Sequence, residues 1–243
     1  MIEIIVDGCR VVESESERLL SMIMNNSLTW EHHLYGNKDH KGLILKLSYR
    51  ASLLVKLAKV VPKARLRILA EGIFFSVLNY GIEIYANTWL PSATLDDQVR
   101  NSTAYSKADN RKLQILVNKV LRCLTNSNYQ TSTKELHCKS NQLSVHQRCA
   151  LFSIMAVHKT LKKGQPKYHL SRLSLNREHG ILTRNRGLFD INYKLSISRC
   201  SFFYRSTKLY GLLPRELVAM ENLDQFKTQV KDWVVKNISL LPT

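Results

Sequence analysis

Glycine and proline are scarce in this chain of 243 residues, at 9 and 5. That scarcity excludes a Gly/Pro-rich disordered chain and a β-rich fold full of tight turns. Acid is scarce as well: 19 Asp and Glu stand against 36 Lys and Arg, a formal net charge of +17. A folded domain with such an excess usually meets a polyanion, with nucleic acid the default; a basic surface kept for solubility is the alternative. The longest apolar run, residues 68–80, is interrupted by Glu71 and Asn79 and is too short to span a bilayer. Glu3 and Asp7 break the first residues, so no secretory leader is expected. The cysteines Cys9, Cys123, Cys138, Cys149 and Cys200 are odd in number and widely spaced, which predicts free thiols in a reducing compartment. The expected location is intracellular, cytoplasmic or nuclear, with no membrane partner. There is no internal repeat.

What the chain does carry is charge in blocks. Residues 1–35 hold 2 basic and 6 acidic side chains, residues 36–80 hold 9 and 2, and residues 131–190 hold 11 and 3. The step from an acidic start to a basic remainder predicts a boundary near residues 35–42. The start reads as β. An apolar run from Ile2 meets Asp7-Gly8, a strong hairpin signal, and Val11 and Val12 begin the return strand. Residues 13–17 read as a solvated acidic break, 19–24 as another strand, Asn25-Asn26 as a turn, and 28–33 as the beginning of a helix.

Beyond this point the periods are helical. Leu43, Leu47, Leu54, Leu57 and Val61 mark a helix that Pro62 ends. Residues 62–89 then organise the chain. Pro62 fits a first-turn position, and Leu66, Leu69, Ile73 and Val77 form one apolar stripe. Lys63, Arg65 and Arg67 crowd the start, where cations oppose the helix dipole. Tyr80, Tyr85 and Trp89 close the stretch near Gly81. The reading is a buried helix with a basic entrance and an aromatic exit; an ordinary core helix is the alternative. Residues 90–108 read as a loop. Asp109 is expected to cap the next helix, whose Leu113, Leu116, Val117, Val120, Leu121 and Leu124 give the strongest 3.6-residue period in the chain. Arg111, Lys112, Asn118, Lys119 and Arg122 fall on its outer face. Ser144 and Gln147 fit a capping box that opens a helix through Val145, Cys149, Phe152, Ala156 and Lys159. Gly164 ends it, with Pro166 beyond. Residues 171–190 are basic and irregular, 191–209 read as β-like, and Leu212-Leu213-Pro214 punctuates. Asn222 caps a last helix through Phe226, Val230, Trp233 and Val234. The expected fold class is mainly α with a small N-terminal β piece, and with a mixed α/β region at the C-terminal end.

The order of these landmarks resembles the C-terminal half of a reverse transcriptase from a non-LTR, LINE-type, jockey-like retrotransposon. Residues 17–30, from Glu17-Arg18-Leu19-Leu20-Ser21 to Leu28-Thr29-Trp30, are similar to that family's L-G-x-x-x-D/N-x-x-L-T-W segment. Leu78-Asn79-Tyr80-Gly81-Ile82-Glu83-Ile84-Tyr85-Ala86-Asn87 resembles L-T-Y-G-I-E-I-W-G-N. Lys112-Leu113-Gln114-Ile115-Leu116-Val117-Asn118-Lys119 resembles K-L-Q-x-L-Q-N-K. Leu209-Tyr210-Gly211-Leu212-Leu213-Pro214-Arg215-Glu216-Leu217 resembles x-W-N-x-L-P-x-E-I. The resemblance implies an end-of-palm β segment over 1–35, a helical thumb-like region over 36–130 and a basic C-terminal region over 131–243. Leu20, Ser21 and Met22 would then be primer-grip-like, and the partner an RNA or RNA–DNA duplex. The chain departs from the family at Ser21, where the family has Gly, and at Tyr210-Gly211, where it has Trp-Asn. Polymerase chemistry also needs carboxylates that hold two Mg²⁺ ions about 4 Å apart. The family carries them upstream of the matched segment. The chain is therefore not expected to polymerise alone. No cofactor is expected, Mg²⁺ entering only with an intact palm, and the missing palm portion of the polymerase would be a partner. Two alternatives stay open: a degenerate helical relic without nucleic-acid activity, and a subunit that completes a site supplied by a separate palm chain.

The residues themselves offer four kinds of site. Asp96-Asp97 is the sole Asp-Asp pair, but it falls in the irregular loop with no aromatic before it, so no catalytic residue is expected. His137, Cys138, His146 and Cys149 have a conceivable zinc spacing, yet Cys149 lies on an apolar stripe where free Cys acts as a small hydrophobe; no metal site is expected. His32 and His33 read as polar surface. Ser, His and Asp show no context for a nucleophile. The basic sets are the better sites, because each neutralised phosphate releases counterions. They are Lys56, Lys59, Lys63, Arg65 and Arg67 at one helix junction, and Arg111, Lys112, Lys119 and Arg122 on one helix face. A tract follows with Lys159, Lys162, Lys163, Lys167, Arg172, Arg177, Arg184 and Arg186.

Overall fold

The computed structural model describes residues 4–6, 9–11, 14–26, 29–86, 107–167, 170 and 202–238. The described residues are mainly helical, with antiparallel β only at the start. β1 (Ile4–Val6) pairs with β2 (Cys9–Val11), Val6 opposite Cys9. That register leaves a two-residue connection, as the Asp7-Gly8 signal predicts, although those two residues lie outside the described ones. The return strand begins at Cys9, two residues earlier than read.

β3 (Ser16–Leu19) and β4 (Met22–Asn25) form a second hairpin, with Leu19 opposite Met22. Leu20 and Ser21 make its turn, both with positive φ, 47° and 67°. This is the sign pattern of a two-residue turn that matches strand twist. Two expectations are corrected here. Residues 19–24 are not one strand, and Glu17 is not in a break but paired opposite Met24. The apolar run hid the turn because neither Leu nor Ser announces a left-handed conformation. Asn25 is buried at the end of β4, and its side chain bonds both the amide and the hydroxyl of Thr29 at 2.7 and 2.6 Å.

The helical body starts with α1 (Glu31–Tyr35) and α2 (Leu43–Leu57). α3 (Lys63–Ala70) runs through a π turn (Glu71–Phe75) into α4 (Ser76–Asn79). Pro62 precedes α3 in an extended conformation, one position earlier than read. The buried stripe is Leu66, Ala70, Phe74 and Leu78, with Phe75 beside it; Leu69, Ile73 and Val77 are only partly covered. Large residues drew the expected stripe one position aside, because small Ala70 marks where neighbours approach closely. The chain then breaks at Gly81, φ 66°, before α5 (Ile82–Tyr85). A Cβ at Gly81 would stand 2.9 Å from Met22 Sδ, so glycine serves both the left-handed turn and the seating of the β3–β4 hairpin. Trp89 lies outside the described residues.

α6 (Lys107–Thr125), α7 (Thr133–Ser140) and α8 (Val145–Lys163) follow. Asp109 sits inside the first turn of α6, not at its cap. Leu113, Val117, Val120 and Leu121 are fully buried, as their period predicts. The Ser144–Gln147 capping box and the left-handed Gly164 are present as read. α9 (Phe202–Gly211), α10 (Arg215–Ala219) and α11 (Leu223–Asn237) complete the described chain. Residues 202–209, expected as β-like, are helical: their aromatics follow a helical spacing that places Leu209 and Tyr210 in the core. Asn222 caps α11 through the amides of Asp224 and Gln225. One core joins Met22, Leu34 and the helices α2 to α7; a second joins α9, α10 and α11. α8 contributes to both, so it is the shared wall.

Candidate nucleic-acid interface

α2 carries the strip on which the basic residues converge. Its sequence, residues 43–57, contains no acid. Leu43, Leu47, Ala51 and Leu54 face the core. The helical period puts Lys46, Tyr49, Leu53 and Lys56 on the opposite arc, and all four are exposed. Tyr49 is 64% exposed at the centre of that arc. An exposed aromatic among cations is a surface on which nucleic-acid bases and sugars can lie.

α6 supplies one flank. Lys119 Nζ donates to Ser52 Oγ at 3.2 Å, and Tyr49 and Lys56 stand one helical turn either side of Ser52. Lys112, two turns earlier on the same stripe of α6, donates to Tyr35 Oη at 2.9 Å and lies 4.4 Å from that ring's centre. Tyr35 in turn donates to Asp109. The Tyr35 bond holds the Lys112 ammonium above its ordinary pKa, while partial burial and the Asp109 bond push the Tyr35 hydroxyl up. Lys112 is thus a fixed cation at the rim.

The π turn and the hairpin supply the other flank. Arg50 Nη1 donates to the carbonyl of Ile73, inside the π turn, at 2.5 Å. Tyr80 Oη donates to the carbonyl of Leu20 at 2.7 Å, which ties the hairpin tip to the end of α4. Leu20 is 77% exposed, whereas Met22 is buried.

The predicted residues separate accordingly. Lys56, Lys112 and Lys119 come together on the α2–α6 surface. Lys59, Lys63, Arg65 and Arg67 are exposed around the α2–α3 junction, continuing it. Arg111 is exposed, but Arg122 is not an outer-face residue: it is half-buried with its guanidinium 5.0 Å from the Tyr129 ring. Asn118, also expected outside, is buried. Lys162 and Lys163 are exposed at the far end of α8, about 27 Å along its axis from Val145, which meets α6, and Lys167 is exposed beyond the Gly164 end. Lys159 is exposed on the same helix, and Arg172, Arg177, Arg184 and Arg186 lie outside the described residues, as does Asp96-Asp97.

His137, Cys138, His146 and Cys149 do not converge on a metal position. His137 takes a hydrogen bond from Gln114 at 3.0 Å and gives one to the carbonyl of Gln142 at 2.7 Å. Cys149 donates to the carbonyl of Ala86, and Cys138 is exposed. Among the described residues no three His, Cys, Asp or Glu side chains gather to hold an ion. His33, expected as polar surface, is buried against Tyr85 with ring centres 5.0 Å apart, and burial lowers its pKa to about 4. The amide of Ile23 points at its Nδ1, so the ring helps seat β4.

Sequence reasoning missed Tyr35, Lys46, Tyr49 and Arg50. For three of them a signal was available: Lys46, Tyr49 and Arg50 share a helical face in an acid-free segment. Tyr35 joins the surface only through its contacts with Asp109 and Lys112, more than 70 positions away. Compared with protein families, with curated proteins and with solved structures, the chain matches none. Among the described residues, no helix is long and apolar enough to cross a membrane.

Proposed function

We propose that the chain binds an RNA or RNA–DNA duplex along the outer face of α2 and the adjoining stripe of α6. In this reading it serves as the palm-end, thumb and C-terminal part of a polymerase of the non-LTR retrotransposon kind it resembles. The observation that carries the reading is the acid-free face of α2, with Tyr49 at its centre and Lys56, Lys112 and Lys119 gathered around it from two helices. The union of two landmark segments supports it, since Tyr80 holds the tip residue Leu20. Catalysis would need the palm portion as a partner, with its carboxylates and Mg²⁺.

Fluorescence anisotropy with a labelled RNA–DNA duplex, repeated across salt concentrations, tests this. If about five phosphates are neutralised, log K should fall against log salt with a slope of about −4 to −5. Changing Lys56, Lys112 and Lys119 together to Gln should flatten the slope by about 2.7, one contact each. Tyr49→Ala should weaken binding without changing the slope. A slope near zero for the unaltered chain, or a slope unmoved by the triple change, refutes the assignment.

A further inference from the structure

The loop between α6 and α7, residues 126–132, reads Asn-Ser-Asn-Tyr-Gln-Thr-Ser and holds no charged side chain. Tyr129 stands at its centre and is 84% exposed, more than any other large apolar or aromatic residue described. The ring is backed on one side. The Arg122 guanidinium, from the last turn of α6, lies 5.0 Å from its centre. Arg122 is half-buried, and its Nε is buried without a partner. Among the described residues no hydrogen bond or ion pair takes up this guanidinium. A cation in the last turn suits the helix dipole, which explains the charge. It does not explain an aromatic ring held on that charge and open to water. The loop is folded by its own bonds. The Ser127 amide donates to the Arg122 carbonyl at 3.1 Å, and the Thr131 amide donates to the Asn128 carbonyl at 3.1 Å. Asn126, Asn128 and Gln130, which alternate with Ser127 and Tyr129, are all exposed. A backed tyrosine flanked by amide side chains combines stacking area with adaptable hydrogen bonding, the combination that recognition loops use.

The loop also continues the lysine stripe. Arg122 is one turn beyond Lys119, about 4.5 Å further along the axis of α6. Cys123 Sγ donates to the Leu54 carbonyl at 3.5 Å, so this end of α6 lies against the Lys56 end of α2. We propose that Tyr129, backed by Arg122, is a stacking platform for one unpaired base of a strand that runs off the duplex face. This rests on the nucleic-acid reading above and adds to it a preference for a duplex with a single-stranded extension. A base fits better than a phosphate. The carbonyl end of α6 and an uncharged loop do not favour an anion, whereas every base has a neutral π face. The unspent N–H groups of Arg122 and the exposed amides of Asn126 and Gln130 suit the acceptors and donors on a base edge.

The test gives the full chain two RNA–DNA hybrids, one blunt and one with a short single-stranded extension containing 2-aminopurine, whose fluorescence falls on stacking. The extension should tighten binding about tenfold, the effect of one stacked base, and its fluorescence should be quenched. An extension of the same length without bases carries the same phosphates and should gain little. Tyr129→Ala, at a position too exposed to support the fold, should remove the gain and the quenching, and Tyr129→Phe should keep both. Equal affinity for the blunt and extended hybrids, an equal gain from the abasic extension, or a gain that survives Tyr129→Ala overturns the platform. The proposed function stands in those cases as long as the blunt hybrid keeps its salt slope. The extension alone, as a single-stranded oligonucleotide, separates the opposite failure. Quenching that depends on Tyr129 while the blunt hybrid does not bind refutes the duplex face and keeps the platform, and no quenching with either probe overturns the platform.

Discussion

Replacing Gln114 with Leu should cost the fold about 3–5 kcal/mol, although the two side chains are close in size. Gln114 is buried where α6, α7 and α8 meet. Its Nε2 donates to Asn118 Oδ1 at 2.8 Å and to His137 Nε2 at 3.0 Å, and its Oε1 accepts from the Val145 amide at 2.9 Å. Leu would leave three buried groups without a partner, at about 1–3 kcal/mol each, and return part of that by burying apolar surface. Val145 is the first residue of α8, so no helical carbonyl can take its amide instead. Urea unfolding would give the free-energy change, and calorimetry should show melting lowered by about 10 °C. Gln114→Glu is the informative companion. Its carboxylate still accepts from Val145, and it can accept from His137 once that ring is protonated. His137 is held below its ordinary pKa by burial, and an adjacent carboxylate would raise it. The Glu variant should therefore gain on the Leu variant as pH falls from 7 to 5. A loss under about 1 kcal/mol for Gln114→Leu would refute the reasoning, because it would mean the three groups find other partners.

Acid should weaken the fold through two buried histidines. Burial lowers His33 and His158 to about 4 from an ordinary 6.5. Their folded pKa is depressed, so the stability each supplies is whole above pH 6.5 and is lost as pH falls toward 4. Urea unfolding should show about 2 kcal/mol lost per histidine between pH 7 and pH 5, and a pH-independent midpoint over that range would refute it. His158→Phe, at a ring stacked 3.5 Å from Phe226, should remove about half of the slope. Leu20→Asn with Ser21→Gly should raise stability by about 1 kcal/mol, because both positions have positive φ and the Asn-Gly pair adopts that turn without strain. A lowered melting temperature for that pair of changes would show that the exposed Leu20 packs on something in the folded chain.

The parts of this fold that were legible in the sequence are those in which local chemistry decides. The Ser144–Gln147 box, the Gly164 end, the Asn222 cap and the buried period of α6 all rest on contacts a few residues apart. The parts that were not legible depend on residues far apart in the chain. His33 is a buried ring because Tyr85, 52 positions later, lies against it. Residues 202–209 look β-like from their aromatics, yet they pack as a helix on α8, where Tyr210 meets His158 at 2.8 Å. The hairpin turn at Leu20–Ser21 carries none of the Gly, Asn or Asp that favour positive φ, so only strand pairing could reveal it. In the site, lysine positions were legible as charges, but not which of them would share a face. Lys119, 63 positions after Lys56, reaches α2 at Ser52, one helical turn before Lys56.

The segments that carry the resemblance are also those where elements of the structure meet. Tyr80 and Gly81 seat the hairpin through Leu20 and Met22, Gln114 joins three helices, and Tyr210 lies in the second core. These residues therefore speak to shape. The residues that would touch a phosphate lie mostly between the landmarks, on α2, or at the two ends of the segment 112–119. Shape and contact are for that reason separable by substitution. Loss of Gln114 should lower stability and take binding with it only by unfolding the α2–α6 surface. Loss of Lys56, Lys112 and Lys119 should flatten the salt dependence while stability moves little, as is usual for exposed positions. A chain in which both sets failed together would place the cations inside the framework, and the exposure of all three lysines argues against that.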